Sequence, residues 1–155
     1  MYKVNKNVNS ENEMKRFGKA IGQLLDGGEI IELIGDVGAG KTTLVKGLAV
    51  GLDIDENIQS PSFTINRVYD GHNNTILSHY DFYRLNDAGI MADELKEVIN
   101  DRKTITVIEW GGAVSSVLPN DRLSINITSP TEDSRELIIS SNGAISDKLI
   151  EGLEK

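Results

Sequence analysis

The chain has 155 residues, 39% of them hydrophobic, enough to fill the core of one domain spanning residues 1–155. Its 24 acidic and 16 basic residues leave a net charge of −8, which disfavours direct tight binding of RNA or DNA, and the absence of cysteine excludes disulfides and thiolate metal sites. The polar stretch from Met1 to Phe17 lacks the apolar core of a signal peptide, and no apolar run approaches the ~20 residues of a membrane span, so a cytoplasmic protein with no membrane partner is expected.

The first predicted element is a helix. Ser10-Glu11-Asn12-Glu13 fits a capping box, and Met14, Phe17, Ile21 and Leu24 follow as one apolar stripe ending at Asp26-Gly27-Gly28. Glu29 to Ile34 is short, rich in β-branched residues and bounded by glycines, which predicts a buried strand. Thr43 to Val50 carries Leu44, Val45, Leu48 and Ala49 at helical spacing, with Gly51 as its stop. Residues 51–62 read as a loop broken by Pro61. Phe63–Tyr69 and Thr75–Phe82 read as strands joined by the turn residues Asp70 to Asn74. One or two short helices are predicted over Asn86–Asn100, a strand over Thr104–Ile108 and a short helix over Gly111–Leu118. Leu123–Thr128 and Glu136–Ser140 make a second hairpin, and Ile145–Leu153 a terminal helix. This order predicts an α/β domain with a mixed sheet, a parallel core plus antiparallel hairpins, in three layers.

Between the first predicted strand and the second helix lies Gly35-Asp36-Val37-Gly38-Ala39-Gly40-Lys41-Thr42, which fits the phosphate-loop pattern G-x-x-x-x-G-K-[ST]. Such a loop turns the N–H groups of Val37, Gly38, Ala39 and Gly40 towards an anion. The lysine reaches the outer phosphates, the Thr42 hydroxyl holds Mg²⁺, and the helix N-terminus adds its own free N–H groups. The N-K-x-D and D-x-x-G patterns of guanine-specific switches are absent from the chain, which favours ATP.

A triphosphate site also needs acidic residues for Mg²⁺ and an attacking water, and in open α/β sheets these stand at the carboxyl ends of parallel strands. Two qualify. Glu109 closes the Thr104–Ile108 run, where spacing alone fits a metal or water ligand and a solvated strand-end carboxylate equally well. Asp81 shares one strand face with His79 and Tyr83, and spacing alone favours an exposed edge-strand face there. Neither histidine has the paired spacing of a zinc site. Ser60 to Thr64 lies where switch proteins sense the terminal phosphate through a hydroxyl, although a plain Ser/Pro loop is the commoner case. Trp110 is the sole tryptophan, a residue more often used for packing.

Four of these segments, Gly35–Thr43, Ser60-Pro61-Ser62-Phe63-Thr64, His79-Tyr80-Asp81-Phe82-Tyr83-Arg84-Leu85 and Glu109-Trp110, resemble the TsaE (YjeE) family in order and spacing. Leu118-Pro119-Asn120-Asp121-Arg122-Leu123 extends the resemblance over nearly the whole chain. The resemblance implies a P-loop NTPase-like ATPase of bacterial tRNA modification, using ATP/ADP and Mg²⁺. With TsaB and TsaD it would form threonylcarbamoyladenosine at adenosine 37 of tRNAs that read codons beginning with A. TsaD would transfer the group, this chain would reset the complex by hydrolysis, and tRNA would be held through the partners.

By position, the resemblance implies Lys41 at the β- and γ-phosphates, Thr42 on Mg²⁺ and Thr43 near the α-phosphate. Glu109 would contact the metal, directly or through water, and Asp81 would act in positioning. Ser62 would belong to the switch-like segment, Trp110 would be a functional neighbour or a partner contact, and Glu11 and Arg135 would lie on the adenine side. Gly111-Gly112 replace the Pro and acidic residue or Gln that often follow Glu-Trp in the family, which implies a more mobile loop. A small-molecule kinase and a nucleotide-dependent regulatory switch are the competing classes. The kinase is disfavoured by the six scattered arginines and the short chain.

Overall fold

The computed structural model describes residues 1–36, 38–59, 66–83 and 89–155, apart from the side chains at positions 90 and 113. Seven strands form one sheet in the order β1-β7-β6-β2-β5-β4-β3. They are β1 (Lys3–Val8), β2 (Ile30–Ile34), β3 (Asn66–Asp70), β4 (Ile76–Asp81), β5 (Thr104–Glu109), β6 (Leu123–Thr128) and β7 (Arg135–Ser140). The central four, β6, β2, β5 and β4, are mutually parallel; β7 and β3 flank them antiparallel, and β1 pairs antiparallel with β7. The helices are α1 (Glu11–Leu24), α2 (Lys41–Gly51), α3 (Gly89–Ile99) and α4 (Ala144–Leu153). The expected mixed sheet with a parallel core and two antiparallel hairpins is present.

Strand alternation divides the apolar residues between two faces. Ile31 and Leu33 of β2, Leu77 of β4, and Ile105 and Val107 of β5 join a core with α1, α2 and α4. Ile30, Tyr80, Phe82 and Ile108 join a smaller core with Leu95 of α3 and with Val114 and Leu118. Helices therefore cover both faces of the sheet.

The capping box forms, with the Glu13 amide donating to Ser10 Oγ at 3.1 Å, while the Glu13 carboxylate accepts from the Asn9 amide at 2.8 Å. Two predictions at this end need correction. The chain opens with β1, not with the helix. Leu24, expected in the buried stripe, is 39% exposed, and its neighbour Leu25 is buried instead. Leu25 caps α1 in an extended conformation, which breaks the helical period and turns that side chain inward. The 63–69 prediction is met over Asn66–Tyr69, with β3 running on to Asp70, and residues 63–65 lie outside the described part. A 3₁₀ turn, His72–Asn74, joins β3 to β4. Within 86–100 one helix, α3, is described, and residues 86–88 lie outside. Gly111–Val117 is a 3₁₀ helix, the short helix anticipated there.

Helices α1 and α2 meet backbone to backbone through glycines. A Cβ on Gly18 would stand 2.3 Å from the Leu44 carbonyl oxygen, and one on Gly22 would stand 2.2 Å from that of Leu48. On the opposite surface a Cβ on Gly47 would stand 2.2 Å from the Lys15 oxygen, and one on Gly51 2.4 Å from the Lys19 oxygen.

The Leu118–Leu123 segment also has a structural reading. Asp121 accepts from the amides of Ile145 and Ser146, both at 2.9 Å, and so caps α4 from a distant part of the chain. Arg122 Nε donates to Glu32 on β2 at 2.9 Å, and its Nη1 to the Pro119 carbonyl at 2.8 Å. Burial pushes the Asp121 carboxyl up, but the hydrogen bonds from Ser146 and Ile145 outweigh it and hold the carboxyl below the ordinary aspartate value. A lowered carboxyl stabilises the fold above the unfolded-state value and ceases to do so as pH falls through the folded one. Asp121→Ala is therefore expected to lower stability by about 1 kcal/mol at neutral pH. The difference from the parent should shrink in acid, which paired urea titrations at pH 7 and pH 3 would measure.

Candidate functional site

The loop after β2 delivers the chain to the N-terminus of α2. Gly38 and Gly40 adopt positive φ (84° and 106°), backbone that residues with a Cβ rarely take, and Gly40 is the N-cap that aims α2. Lys41 is the first residue of α2. Its ammonium donates to the Gly35 carbonyl and, at 3.4 Å, to that of Asp36, and it lies 4.2 Å from the centre of the Trp110 ring. Burial lowers its affinity for a proton, whereas the charges of Glu109, Asp81 and Asp36 raise it; burial prevails. Val37 lies outside the described residues.

Three parallel strands end at this point. β5 presents Glu109 and β4 presents Asp81, in register with each other on the sheet face that carries α2. Both carboxylates are buried, and so is His79. The exposed edge-strand reading of this face is therefore wrong. β4 is not an edge, because β3 pairs along its outer side and β5 along its inner side. The sequence does not reveal that protection because it depends on the register of separate strands. Tyr83 at the strand's end is exposed and lies against Trp110, ring centres 4.9 Å apart. His79 Nε2 stands 2.5 Å from Glu109 Oε2. Asp81 Oδ1 accepts from the Tyr83 amide at 3.0 Å.

A cleft of about 910 Å³ gathers most of the expected residues. Gly38, Gly40, Lys41, Thr42 and Thr43 line it together with Asp81, Glu109, Trp110, Glu11 and Arg135. Ala39 is buried behind the loop and faces a second cleft with Asp36 and Trp110. Ser62, like the whole Ser60–Thr64 segment, lies outside the described residues. Met14, Glu132 and Asp133 also line the main cleft without having been anticipated. Met14 reads in sequence as a core residue, which it also is. The Glu132-Asp133 turn carries no motif and arrives only because β6 pairs with β2 and β7 with β6.

Arg135 ties that turn to the phosphate loop. Its Nε donates to the Ala39 carbonyl at 3.0 Å and its Nη2 to that of Gly38 at 3.3 Å. Its Nη1 donates to the carbonyls of Thr131, Glu132 and Ser134. The guanidinium thus works as a strut beneath the loop. The donor set, a threonine hydroxyl, two carboxylates and a lysine beside a helix N-terminus, suits a hard divalent cation shared with phosphate oxygens. Among the described residues no three His, Cys, Asp or Glu side chains converge as a protein-only metal cage.

Comparison with known proteins gives the family. A family model described as "Threonylcarbamoyl adenosine biosynthesis protein TsaE" matches residues 8–137. The chain belongs to the TsaE family. The tRNA threonylcarbamoyladenosine biosynthesis protein TsaE of Treponema pallidum is 38% identical over 130 residues, covering 84% of this chain and 95% of that protein. The TsaE protein of Bacillus subtilis is 34% identical over 154 residues, covering 96% and 91%. The crystal structure of Bacillus subtilis YdiB superposes with a TM-score of 0.82 at 30% identity, covering 99% of this chain and 95% of that one. Membership places the chain in tRNA threonylcarbamoyladenosine biosynthesis. No described helix is long and apolar enough to cross a membrane.

Proposed function

We propose that this TsaE-family protein is a Mg²⁺-dependent ATPase of the cytoplasm. In this reading it acts with TsaB and TsaD in forming threonylcarbamoyladenosine at adenosine 37, and tRNA is held through those partners. One juxtaposition carries the reading: Lys41 and Thr42 at the start of α2 share a cleft with Glu109 and Asp81 at the ends of two neighbouring parallel strands.

Each residue has a task in this reading. The Lys41 ammonium exchanges the Gly35 and Asp36 carbonyls for β- and γ-phosphate oxygens. The amides of the glycine loop and of Thr43 hold the inner phosphates. Thr42 and Glu109 would hold Mg²⁺, Glu109 directly or through water, and Asp81 would position the attacking water. Mg²⁺, when bound, neutralises charge on the phosphate oxygens. Glu11 and Arg135 flank the adenine end, Ser62 belongs to a segment that senses the terminal phosphate, and Trp110 covers Lys41. The net charge of −8 fits a subunit that leaves tRNA to its partners.

Reconstitution tests the proposal. Adding TsaB and TsaD is expected to raise ATP hydrolysis several-fold, and tRNA modification over repeated turnovers should require this chain together with hydrolysable ATP. A rate indifferent to both partners, or a metabolite phosphorylated at ATP's expense, would refute it.

A further inference from the structure

We infer that His79 is a positioning residue that holds the Glu109 carboxylate in place; the inference deepens the ATPase reading and rests on it. The two side chains come from adjacent parallel strands and both are buried. A carboxylate oxygen can only accept, so the ring nitrogen 2.5 Å from Glu109 Oε2 carries the proton and donates it. The other ring nitrogen, Nδ1, is buried with no hydrogen-bond partner among the described residues. Among the described residues His79 thus sits inside the sheet's core with a single polar side-chain contact, and that contact is Glu109. A histidine there solely to fill volume would be an expensive choice beside the Leu, Ile and Val of the same face.

The direction of the contact matters for the site. Asp81 and Glu109 are paired in register, so two carboxylates project side by side from one sheet face. Like charges at that spacing repel. The Tyr83 amide fixes one oxygen of Asp81, and His79, two residues earlier on β4, draws Oε2 of Glu109 back along the sheet. Glu109 Oε1, which His79 does not engage, is left to the cleft that Glu109 lines. Orientation of a ligating group by a hydrogen bond from behind typically changes affinity or activity about 10–100-fold.

Side-chain length separates this role from a packing role. The amide nitrogen of glutamine falls near the position of Nε2, whereas that of asparagine falls near Nδ1. His79→Asn and His79→Ala are expected to lower kcat for ATP at least about 10-fold with ATP affinity nearly unchanged. His79→Gln should recover most of the loss. A second measurement needs no nucleotide: long-range ¹H–¹⁵N spectra of the imidazole should show a protonated Nε2 whose proton resonates far downfield, and Glu109→Ala should abolish that shift. Glutamine as impaired as asparagine, all three variants as active as the parent, or an unprotonated Nε2 would each overturn the inference. A parent protein without ATPase activity in the presence of TsaB and TsaD would instead sink the underlying functional reading, and the imidazole spectrum would still decide whether His79 holds Glu109.

Discussion

Glu109→Ala is expected to hydrolyse ATP at least about 100-fold more slowly than the parent while binding it within a few-fold of the parent affinity. The asymmetry follows from where affinity and turnover reside. In the proposed reading the glycine loop, Lys41 and the N-terminus of α2 hold the phosphates without help from β5. Glu109 lies at the end of β5, and in the proposed reading it serves only the metal and the reacting water. Removing the carboxylate also removes one of the charges that favour the protonated state of Lys41. Single-turnover hydrolysis set beside equilibrium binding of a non-hydrolysable ATP analogue separates the two effects. Near-parental hydrolysis would remove Glu109 from its assigned role.

The second large effect concerns folding. Gly47→Ala should destabilise the protein by about 3 kcal/mol or more, at the upper end of what overpacking produces. On an exposed helix the same change would help by about 1 kcal/mol, because alanine is the better helix former. Here the added methyl would lie 2.2 Å from the Lys15 carbonyl oxygen. The obstacle is backbone, with no rotamer to change, so α1 and α2 must separate. For a chain of this size the loss corresponds to a fall in Tm of roughly 6–12 °C. Gly112→Ala is the matched control, since nothing lies within 4 Å of a Cβ there. Thermal unfolding of both variants would decide it, and a Gly47→Ala protein as stable as the control would contradict the packing described for α1 and α2.

These two predictions draw on information of different kinds. The phosphate loop and its flanking strand and helix were legible in the sequence, because glycine spacing and β-branched runs are local signals, whereas spacing alone left Glu109 undecided and favoured an exposed face for Asp81, and only the family resemblance singled the two out. What depends on remote pairing was not legible. β1 reads as a polar stretch, since only Val4 and Val8 of its six residues are apolar, and it is a strand because β7 supplies its partner. The burial of His79 follows from β3 and β5 closing on both sides of β4. Leu25 replaces Leu24 in the core because the helix ends one residue before it. The glycines of α1 were visible as letters, but their meaning needed the matching pair on α2. Arg135 could be named from resemblance, yet its part as a strut appears only once β6 and β7 are seen beside the loop.

The protein's one tryptophan rests on the ammonium of Lys41, in a left-handed backbone conformation (φ 57°) that a bulky side chain rarely adopts. Its emission is therefore the emission of the Lys41 cleft, with no second indole elsewhere to dilute it. Any ligand that draws the lysine away from the ring alters the quantum yield of the whole molecule. The chain carries an intrinsic optical gauge of its own site, readable at tryptophan wavelengths without a label, even within a complex if the partners lack tryptophan.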